Sequence, residues 1–349
     1  MPATAASTSP ASLPVAPQFV PYTELGDRPN VIVDGPPQKA TELTLSHWPN
    51  NQTPDELKRD TSTAIAFAYL DRPDLHRDIG AISNSHFDED GLFSMFALVH
   101  PATALAYREL LIDASRAGDF GIFEQRDAAR LAFTIEAFAD PTTSPLPADT
   151  FAVCDRRRAA RLYTAMLEVL PGILDDLPGH KVFWESQDAH LEASLRRLAD
   201  GTVQIQEISE LDLAIVRIPE ALTAQRVSRY LQTESAVIHP FAIHQSTQCN
   251  RLLRIQARRY EFQYRYESWV QLASRRPALR VDLVGLADAL NACETAPGTW
   301  CAEPVTDVAP RCYLDGVDAS ALSDVEFIDL LSRYLRESPI AWDPYDWEA

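Results

Sequence analysis

One short segment, His86-Phe87-Asp88-Glu89-Asp90-Gly91, combines side chains that can bind a metal ion. In an extended backbone, residues i, i+2 and i+4 point to one side, so we expect His86, Asp88 and Asp90 to converge. One imidazole with two carboxylates suits Mn²⁺ or Mg²⁺ better than a metal that prefers sulfur ligands. Gly91 is expected to allow a sharp turn into a helix, whose free N–H groups can bind phosphate. The three side chains are therefore our candidates for metal binding and catalysis.

Two alternatives compete with this interpretation of the segment. An EF-hand loop also has alternating acidic residues before a glycine, but that alignment puts His86 at the first ligand position and Ala97 at the twelfth. A bidentate Glu is required at the twelfth position, so both end ligands are wrong and this kind of calcium site is excluded. The second alternative is an acidic loop that caps a helix, with Asp90 accepting backbone N–H bonds. The chain would then be a non-catalytic binding or scaffold protein.

The residues before and after the segment predict the elements that position it. Short apolar runs predict strands at residues 31–33, ending at Asp34, at 42–46, ending at His47, and at 81–85, leading directly into His86. Helical spacing of apolar residues predicts helices at 53–70, 93–99, 102–116, 124–139 and 155–170. The first begins with an apparent capping box, Thr53-Pro54-Asp55-Glu56. We therefore predict an α/β half with a largely parallel sheet flanked by helices.

The pattern of elements changes near Gly201. Strands are predicted at 203–208, 213–218, 236–244, 252–257 and 259–269, with a helix at 219–231 between them. Ser323-Asp324-Val325-Glu326 predicts a capping box before a last helix at 327–335. The prediction has three parts: a disordered tail (1–18), rich in Ala, Ser, Thr and Pro; an α/β metal-site domain (19–200); and a smaller α+β substrate or accessory domain (201–349).

Charge and composition limit the partners of this chain. Of its 349 residues, 31 are Lys or Arg and 50 are Asp or Glu, which gives a net charge of -19. Such a chain repels polyanions, so no extended nucleic-acid face is expected. A small phosphorylated substrate is still compatible with this negative net charge, because a bound metal ion inverts the charge inside a pocket. The hydrophobic fraction of 46% is sufficient for a packed core.

The compartment follows from cysteine usage and from apolar runs. Five cysteines without a C-x-x-C pair predict reduced thiols in the cytoplasm. No run of about 18 apolar residues occurs, so no membrane span is predicted. A G-x-S-x-G elbow, a Walker loop and a dinucleotide-binding G-x-G-x-x-G are also absent. The commonest hydrolase, NTPase and dehydrogenase patterns therefore do not apply.

Residues 86–94, His-Phe-Asp-Glu-Asp-Gly-Leu-Phe-Ser, resemble the first motif of the DHH phosphoesterases, in which His-x-Asp-x-Asp-Gly after a strand holds manganese. The resemblance implies cleavage of phosphate esters or phosphoanhydrides, usually with two Mn²⁺ ions and a smaller C-terminal substrate-binding domain. The family's Asp-His-His triplet does not occur in this sequence. The resemblance therefore implies that further metal ligands come from Asp34, His47 and Asp119, in a rearranged order, with Asp60 as a weaker candidate. The whole chain also resembles an uncharacterised bacterial protein family of similar length.

The sequence thus predicts a cytoplasmic, metal-dependent phosphoesterase that hydrolyses a small phosphorylated or nucleotide-like substrate. Four residues of the second half are candidates for contact with a substrate anion across a cleft: Arg259, Arg265, His239 and His244. For Arg265 the alternative is an ion pair with Glu267 or Glu261 on an exposed face of the sheet.

Overall fold

The computed structural model describes residues 16–346, except the side chains of residues 155 and 156. The predicted disordered tail therefore lies largely outside the described residues. Its last residue, Gln18, begins the first strand and pairs with Ala81. The described chain is mixed α/β, as expected from the sequence.

A four-stranded parallel sheet organises the first half. Its strands are β1 (Gln18–Phe19), β2 (Asn30–Val33), β3 (Thr41–Leu45) and β4 (Ala81–Ser83). They are ordered β1-β4-β2-β3, and every neighbouring pair is parallel. All four residues of β2 are buried, as is typical of a parallel strand covered on both faces. The predicted strands at 31–33, 42–46 and 81–85 are confirmed, with boundaries shifted by one or two residues.

Seven helices accompany this sheet: α1 (Ser62–Leu70), α2 (Glu89–Val99), α3 (Pro101–Ala106), α4 (Arg108–Phe120), α5 (Arg126–Ala139), α6 (Asp155–Asp175) and α7 (Lys181–Ala199).

The capping box predicted at Thr53 is wrong, because the Thr53 hydroxyl forms two hydrogen bonds of 2.9 Å with the backbone of Ser46. Thr61 caps the helix instead, accepting from the N–H of Ala64. The sequence also gives no prediction for α7, which is the longest unpredicted element of the first half.

The second half is built on a mixed six-stranded sheet. Its elements are β5 (Gln204–Ile208), β6 (Leu213–Arg217), β7 (Gln225–Arg229), β8 (Gln232–Ala236), α8 (Pro240–Ser246), β9 (Arg251–Gln256), β10 (Arg259–Tyr264), β11 (Arg280–Val281), α9 (Val284–Asn291), β12 (Thr299–Ala302), β13 (Arg311–Asp315), α10 (Asp324–Glu337) and β14 (Ile340–Trp342). The large sheet has the order β12-β13-β10-β9-β6-β5, in which only β6 and β9 pair in parallel.

The strands predicted at 203–208, 213–218 and 252–257, the first part of the strand predicted at 259–269 and the last helix are confirmed. Two other predictions for the second half are wrong. The helix predicted at 219–231 is replaced by the antiparallel hairpin β7–β8, which turns at Tyr230 and Leu231 in left-handed conformations. The strand predicted at 236–244 is replaced by α8, because Pro240 presets a helical first turn and His239 caps it. The capping box at Ser323 is present and starts α10.

The main hydrophobic core crosses the boundary predicted at Gly201. It joins residues of the first half, such as Phe93 and Phe133, to Val216, Phe241 and Leu252 of the second. A second core lies under the large sheet, where the alternating aromatic side chains of β10 form a packed face against α10. The division into two domains at residue 201 stays a prediction. Within the described part of the chain, no helix is long and apolar enough to cross a membrane.

Candidate functional site

The candidate site lies where three parallel strands of the first sheet end. Asp34 directly follows β2, His47 follows β3 by two residues, and His86 follows β4 by three. The carboxyl ends of parallel strands share one edge of a sheet, which is where sites of open α/β sheets gather. Asp34 has a φ of 47°, a left-handed conformation that Asp and Asn tolerate better than most residues. The sheet therefore brings Asp34, His47 and His86 together.

A first group of possible metal ligands consists of Asp34, His86 and Asp88. The Nε2 atom of His86 lies 2.8 Å from Oδ2 of Asp88 and 3.3 Å from Oδ2 of Asp34. One ligand atom of each residue lies within 4.8 Å of the other two. The side chains of His86 and Asp88 are 30% and 17% exposed, so this group is the solvent-facing part of the site.

A second group consists of Asp34, His47 and Asp90, and it is fully buried. The Nε2 atom of His47 lies 3.4 Å from Oδ1 of Asp34 and 3.7 Å from Oδ2 of Asp90. The other ring nitrogen, Nδ1, lies 2.6 Å from the backbone carbonyl of Asp60. A hydrogen bond donated to that carbonyl fixes the ring and leaves Nε2 with a free lone pair, as is usual for a metal-binding histidine.

Asp34 belongs to both groups, with one oxygen towards each. Its Oδ1 faces His47 and its Oδ2 faces His86. A carboxylate in this arrangement can bridge two ions. The expectation that His86, Asp88 and Asp90 form one group is corrected here. Helix α2 already begins at Glu89, so the backbone is not extended across the segment and Asp90 is turned into the second group.

Asp119 lies at the edge of the second group, in the last turn of α4. Its Oδ2 atom is 3.6 Å from Nε2 of His47, and its side chain is only 4% exposed. Oδ2 is buried without a hydrogen-bond partner among the described residues, as is Oδ2 of Asp34. Buried carboxylate oxygens without partners are costly and need a proton or a cation nearby. All six residues named as ligands from the sequence thus lie in one cluster.

Several carboxylates are buried close together in the cluster, and their burial and mutual repulsion shift their pKa values. Burial and the charge of Asp34 raise the pKa of Asp90 to about 7. Burial and the charges of neighbouring carboxylates raise the pKa of Asp119 well above its ordinary value. Burial lowers the pKa of His86, but Asp88 and Asp34 outweigh this effect and raise it to about 10. Without a cation, the cluster therefore retains protons on groups that are metal ligands in their deprotonated forms.

The residues fit a pair of divalent ions of the Mn²⁺ or Mg²⁺ type. Each group offers carboxylate oxygens and a single imidazole nitrogen, which is a ligand set for hard or borderline cations. The four carboxylates of Asp34, Asp88, Asp90 and Asp119 match the charge of two divalent ions. No cysteine belongs to either group.

The hydrogen bonds predicted by the capping alternative are also present. Asp88 accepts a 2.8 Å hydrogen bond from the N–H of Gly91 and so caps α2. Asp90 accepts from the N–H groups of Ser62 and Thr63, at 2.6 and 2.7 Å, and so caps the start of α1 from outside. The N–H of Gly91 is therefore already bonded within the chain, and the phosphate site at the start of α2 stays a prediction. The first turn of α2 is capped by Asp88 and carries Glu89 and Asp90.

The expected role of Gly91 is also corrected. It lies inside α2 rather than in a turn. A Cβ atom at this position would lie 2.4 Å from both Asn84 Nδ2 and Tyr163 Oη, and 3.0 Å from Oδ1 of Asp88. The glycine therefore allows Asn84 and the buried Tyr163 to pack against the start of α2 beside the candidate site.

Several residues around the cluster were not predicted. The Ser62 hydroxyl donates to Oδ1 of Asp34 at 2.8 Å, and the Tyr266 hydroxyl lies 3.5 Å from Nε2 of His47. Ser62 has a local signal, since hydroxyl residues are common where helices begin, whereas Tyr266 has none. The side chain of Asp60, the weaker candidate, accepts from the N–H groups of Ala273 and Ser274 and belongs to neither ligand group.

The candidates for substrate contact in the second half have other roles. Arg259 is exposed and paired with Asp318. Arg265 is buried, forms an ion pair with Glu267 and donates to the carbonyl of Thr247 at 2.8 Å. The expected pairing partner of Arg265 is thus present, but not on an exposed sheet face.

Both histidines of this set are buried. His239 caps α8 by accepting from the N–H of Phe241. The Nδ1 atom of His244 lies 2.6 Å from the carbonyl of Phe120. Among the described residues, none of their hydrogen bonds involves one of the six cluster side chains.

Comparison with known proteins identifies the family of the chain. No curated protein and no solved structure matches it. A family of unknown function (DUF6687) matches residues 15–346, which is nearly the whole sequence. The matched region includes every residue of the cluster. The chain therefore belongs to this family of unknown function, DUF6687.

Proposed function

We propose that this protein is a metal-dependent phosphoesterase that hydrolyses a small phosphorylated or nucleotide-like substrate with two Mn²⁺ or Mg²⁺ ions. One ion would be held by Asp34, His86 and Asp88, and the other by Asp34, His47 and Asp90 with Asp119 beside them. The observation that carries the proposal is the arrangement of Asp34, whose two oxygens face two separate ligand groups. A shared carboxylate is typical of two-metal sites that act on phosphate esters.

The chemistry that such ions supply is a hydroxide at neutral pH and stabilisation of the charge that develops on the phosphoryl group. The side chains of this protein orient the ligands and exclude water from most of the cluster. The carbonyl of Asp60 holds the ring of His47, and the Ser62 hydroxyl holds Asp34. Asp90 is fixed by two backbone N–H groups at the start of α1.

The exposure of the ligands indicates where a substrate would enter. His86 and Asp88 are partly exposed, whereas Asp34, His47 and Asp90 are at most 1% exposed. The indole of Trp48 is half-buried, and its ring centre lies 4.8 Å from that of His86. An aromatic surface beside the solvent-facing ligands suits a small substrate with a flat or apolar group. The net charge of -19 argues against a polyanion.

The alternative proposal is a non-catalytic binding or scaffold protein in which the acidic loop is structural. It is favoured by the caps that Asp88 and Asp90 provide for α2 and α1. Those bonds leave three features without explanation, namely the shared position of Asp34, the approach of both histidines, and the unpartnered oxygens of Asp34 and Asp119.

The test is metal content together with turnover. Protein stripped with chelator and dialysed against Mn²⁺ or Mg²⁺ should retain about two equivalents by plasma emission spectroscopy. It should then hydrolyse phosphomonoesters or phosphodiesters such as p-nitrophenyl phosphate and bis-p-nitrophenyl phosphate. Asp90→Asn should lose turnover, whereas Asp60→Asn, a matched change beside the cluster, should retain both metal and turnover. Stripped protein that binds neither ion, or that binds ions without turnover of any phosphate ester, would contradict the proposal.

A further inference from the structure

The second half of the chain is in contact with the metal-site half at the end of α4. We propose that four side chains of the second half, Arg229, Tyr230, His244 and Arg265, position Asp119 and thereby set the affinity of the second ligand group for its ion. We call these four residues the Asp119 clamp. The inference rests on the proposed function and assigns the second half a positioning role in metal binding.

The clamp converges on two consecutive backbone carbonyls. Arg229 Nη2 donates to the carbonyl of Asp119 at 2.9 Å, and the hydroxyl of Tyr230 donates to the same oxygen at 2.7 Å. His244 Nδ1 lies 2.6 Å from the carbonyl of Phe120, and Arg265 Nη2 donates to it at 3.4 Å. Each carbonyl thus has two partners from the second half.

These carbonyls are at the end of a helix, where backbone acceptors lack partners within the helix. Helix α4 ends at Phe120, and Gly121 follows in a left-handed conformation with a φ of 66°. Two of the four clamp residues are arginines, and cations at a helix C-terminus interact favourably with its partial negative charge. The backbone of Asp119 is therefore fixed by groups that are distant in sequence.

The carboxylate of Asp119 depends on this fixation. Its Oδ2 atom is buried without a hydrogen-bond partner among the described residues and lies 3.6 Å from Nε2 of His47. No such bond locks Oδ2 in place, so its distance from the second ligand group follows from the position of the backbone. Loss of a clamp contact should move this ligand relative to His47.

The hairpin that carries half of the clamp turns in an unfavourable conformation. Tyr230 and Leu231 have φ angles of 54° and 56°, although neither is a glycine or asparagine. Strain of this kind persists only where other contacts require it. Here the turn brings the Tyr230 hydroxyl to Asp119 and lets the N–H of Leu231 donate to Glu136 Oε1 at 3.2 Å.

The test uses Tyr230→Phe, which removes one clamp hydrogen bond and keeps the ring. Mn²⁺ binding is measured by calorimetry in the Asp88→Asn background, where only the second ligand group is intact. We expect Tyr230→Phe to weaken this site by roughly two- to tenfold, the range expected for one hydrogen bond. Arg229→Met, which removes the other donor to the same carbonyl, should have an effect of the same sign and provides a second variant.

The matched control is Tyr334→Phe. The hydroxyl of Tyr334 also donates to a backbone carbonyl, that of Asp282, at 2.9 Å in a partly buried place outside the cluster. The Tyr334→Phe variant should therefore have the same Mn²⁺ affinity as the protein without this change. In an Asp119→Asn background, Tyr230→Phe should have no further effect on affinity, because the clamp acts through Asp119.

The outcomes separate the inference from the proposed function. A parent protein that binds no Mn²⁺ contradicts the proposed function. A parent with two ions and an unchanged affinity in Tyr230→Phe contradicts the clamp alone. The clamp is also contradicted by an equal effect of Tyr334→Phe, or by a full effect of Tyr230→Phe in the Asp119→Asn background.

Discussion

The shared position of Asp34 makes one substitution more informative than any other. Asp34→Asn removes a negative charge from both ligand groups but changes little else. Asn tolerates the left-handed backbone of this position as well as Asp does. Its side-chain oxygen can still accept from the Ser62 hydroxyl, which lies 2.8 Å away in the parent. We predict that Asp34→Asn loses high-affinity binding of both ions.

The magnitude follows from the ligand count. Each group consists of three residues, and Asp34 is the one they share. Loss of an outer partner of a metal site costs roughly 10–100-fold in affinity, so loss of a direct ligand should cost at least about 100-fold at each site. At a free Mn²⁺ concentration of about 100 times the parent Kd, binding stabilises the parent by about 2.7 kcal/mol per site. The same concentration would stabilise Asp34→Asn by only about 0.4 kcal/mol per site.

The assay is thermal unfolding with and without Mn²⁺, combined with the metal content of dialysed protein. Asp212→Asn is the matched control. Asp212 also has a left-handed backbone, with a φ of 49°, and its carboxylate accepts from Asn250 and Ala278 rather than from the cluster. This control should retain two equivalents of metal and the full metal-dependent rise in Tm.

Two outcomes would contradict this prediction. If Asp34→Asn retains one tightly bound equivalent, the carboxylate of Asp34 does not serve both groups. If it retains two equivalents, Asp34 is not a ligand at all. The division of the cluster into two groups that share Asp34 would then also be wrong.

Two further predictions concern the cap at Asp88 and the pH dependence of stability. Asp88→Asn should retain the cap of α2 and lose about one equivalent of metal, whereas Asp88→Ala should also lower the free energy of unfolding by about 1 kcal/mol in urea titration. Two equivalents in Asp88→Asn would remove this residue from the site. Burial raises the pKa of Glu294, but hydrogen bonds from Ser320, Trp300 and backbone N–H groups outweigh it and lower the pKa from 4.5 to about 2. Because the folded-state pKa is lowered, the contribution of Glu294 to stability is present above about pH 4.5 and is lost as the pH falls towards 2. Glu294→Gln should therefore unfold at lower urea than the parent at pH 7, with a gap that narrows below pH 4.5; a gap that is independent of pH would contradict this origin.

Local features of the first sheet and of the acidic segment could be predicted from the sequence. Apolar runs of three to five residues located β2, β3 and β4 within one or two residues. The polar residues that end these strands, together with the His86 segment, identified five of the six members of the cluster. The capping box at Ser323 was also predictable, because its bonds join residues only three apart.

Other local patterns were misleading because distant residues compete for the same groups. Thr53 has a helix-capping sequence, but its hydroxyl is bonded to the backbone of Ser46 after β3. Residues 225–236 have no glycine or asparagine at their turn, so the sequence favours a helix where the structure has a hairpin. The contacts of Tyr230 and Leu231 with α4 and α5 hold that turn, and no local pattern shows them.

The residue types that are available for chemistry can be identified from the sequence alone, namely two histidines and four aspartates that lie near the ends of elements. Their grouping into two sets of ligands depends on the packing of the strands and helices. Asp34 and Asp90 are 56 positions apart, and the order β4-β2-β3 of the sheet is what places the ends of all three strands side by side. The start of α2 at Glu89 then separates Asp90 from Asp88, and the second half fixes Asp119 through backbone carbonyls. The physical reason is that strand pairing and helix packing set distances between residues far apart in sequence, whereas periodicity and capping report only on neighbours.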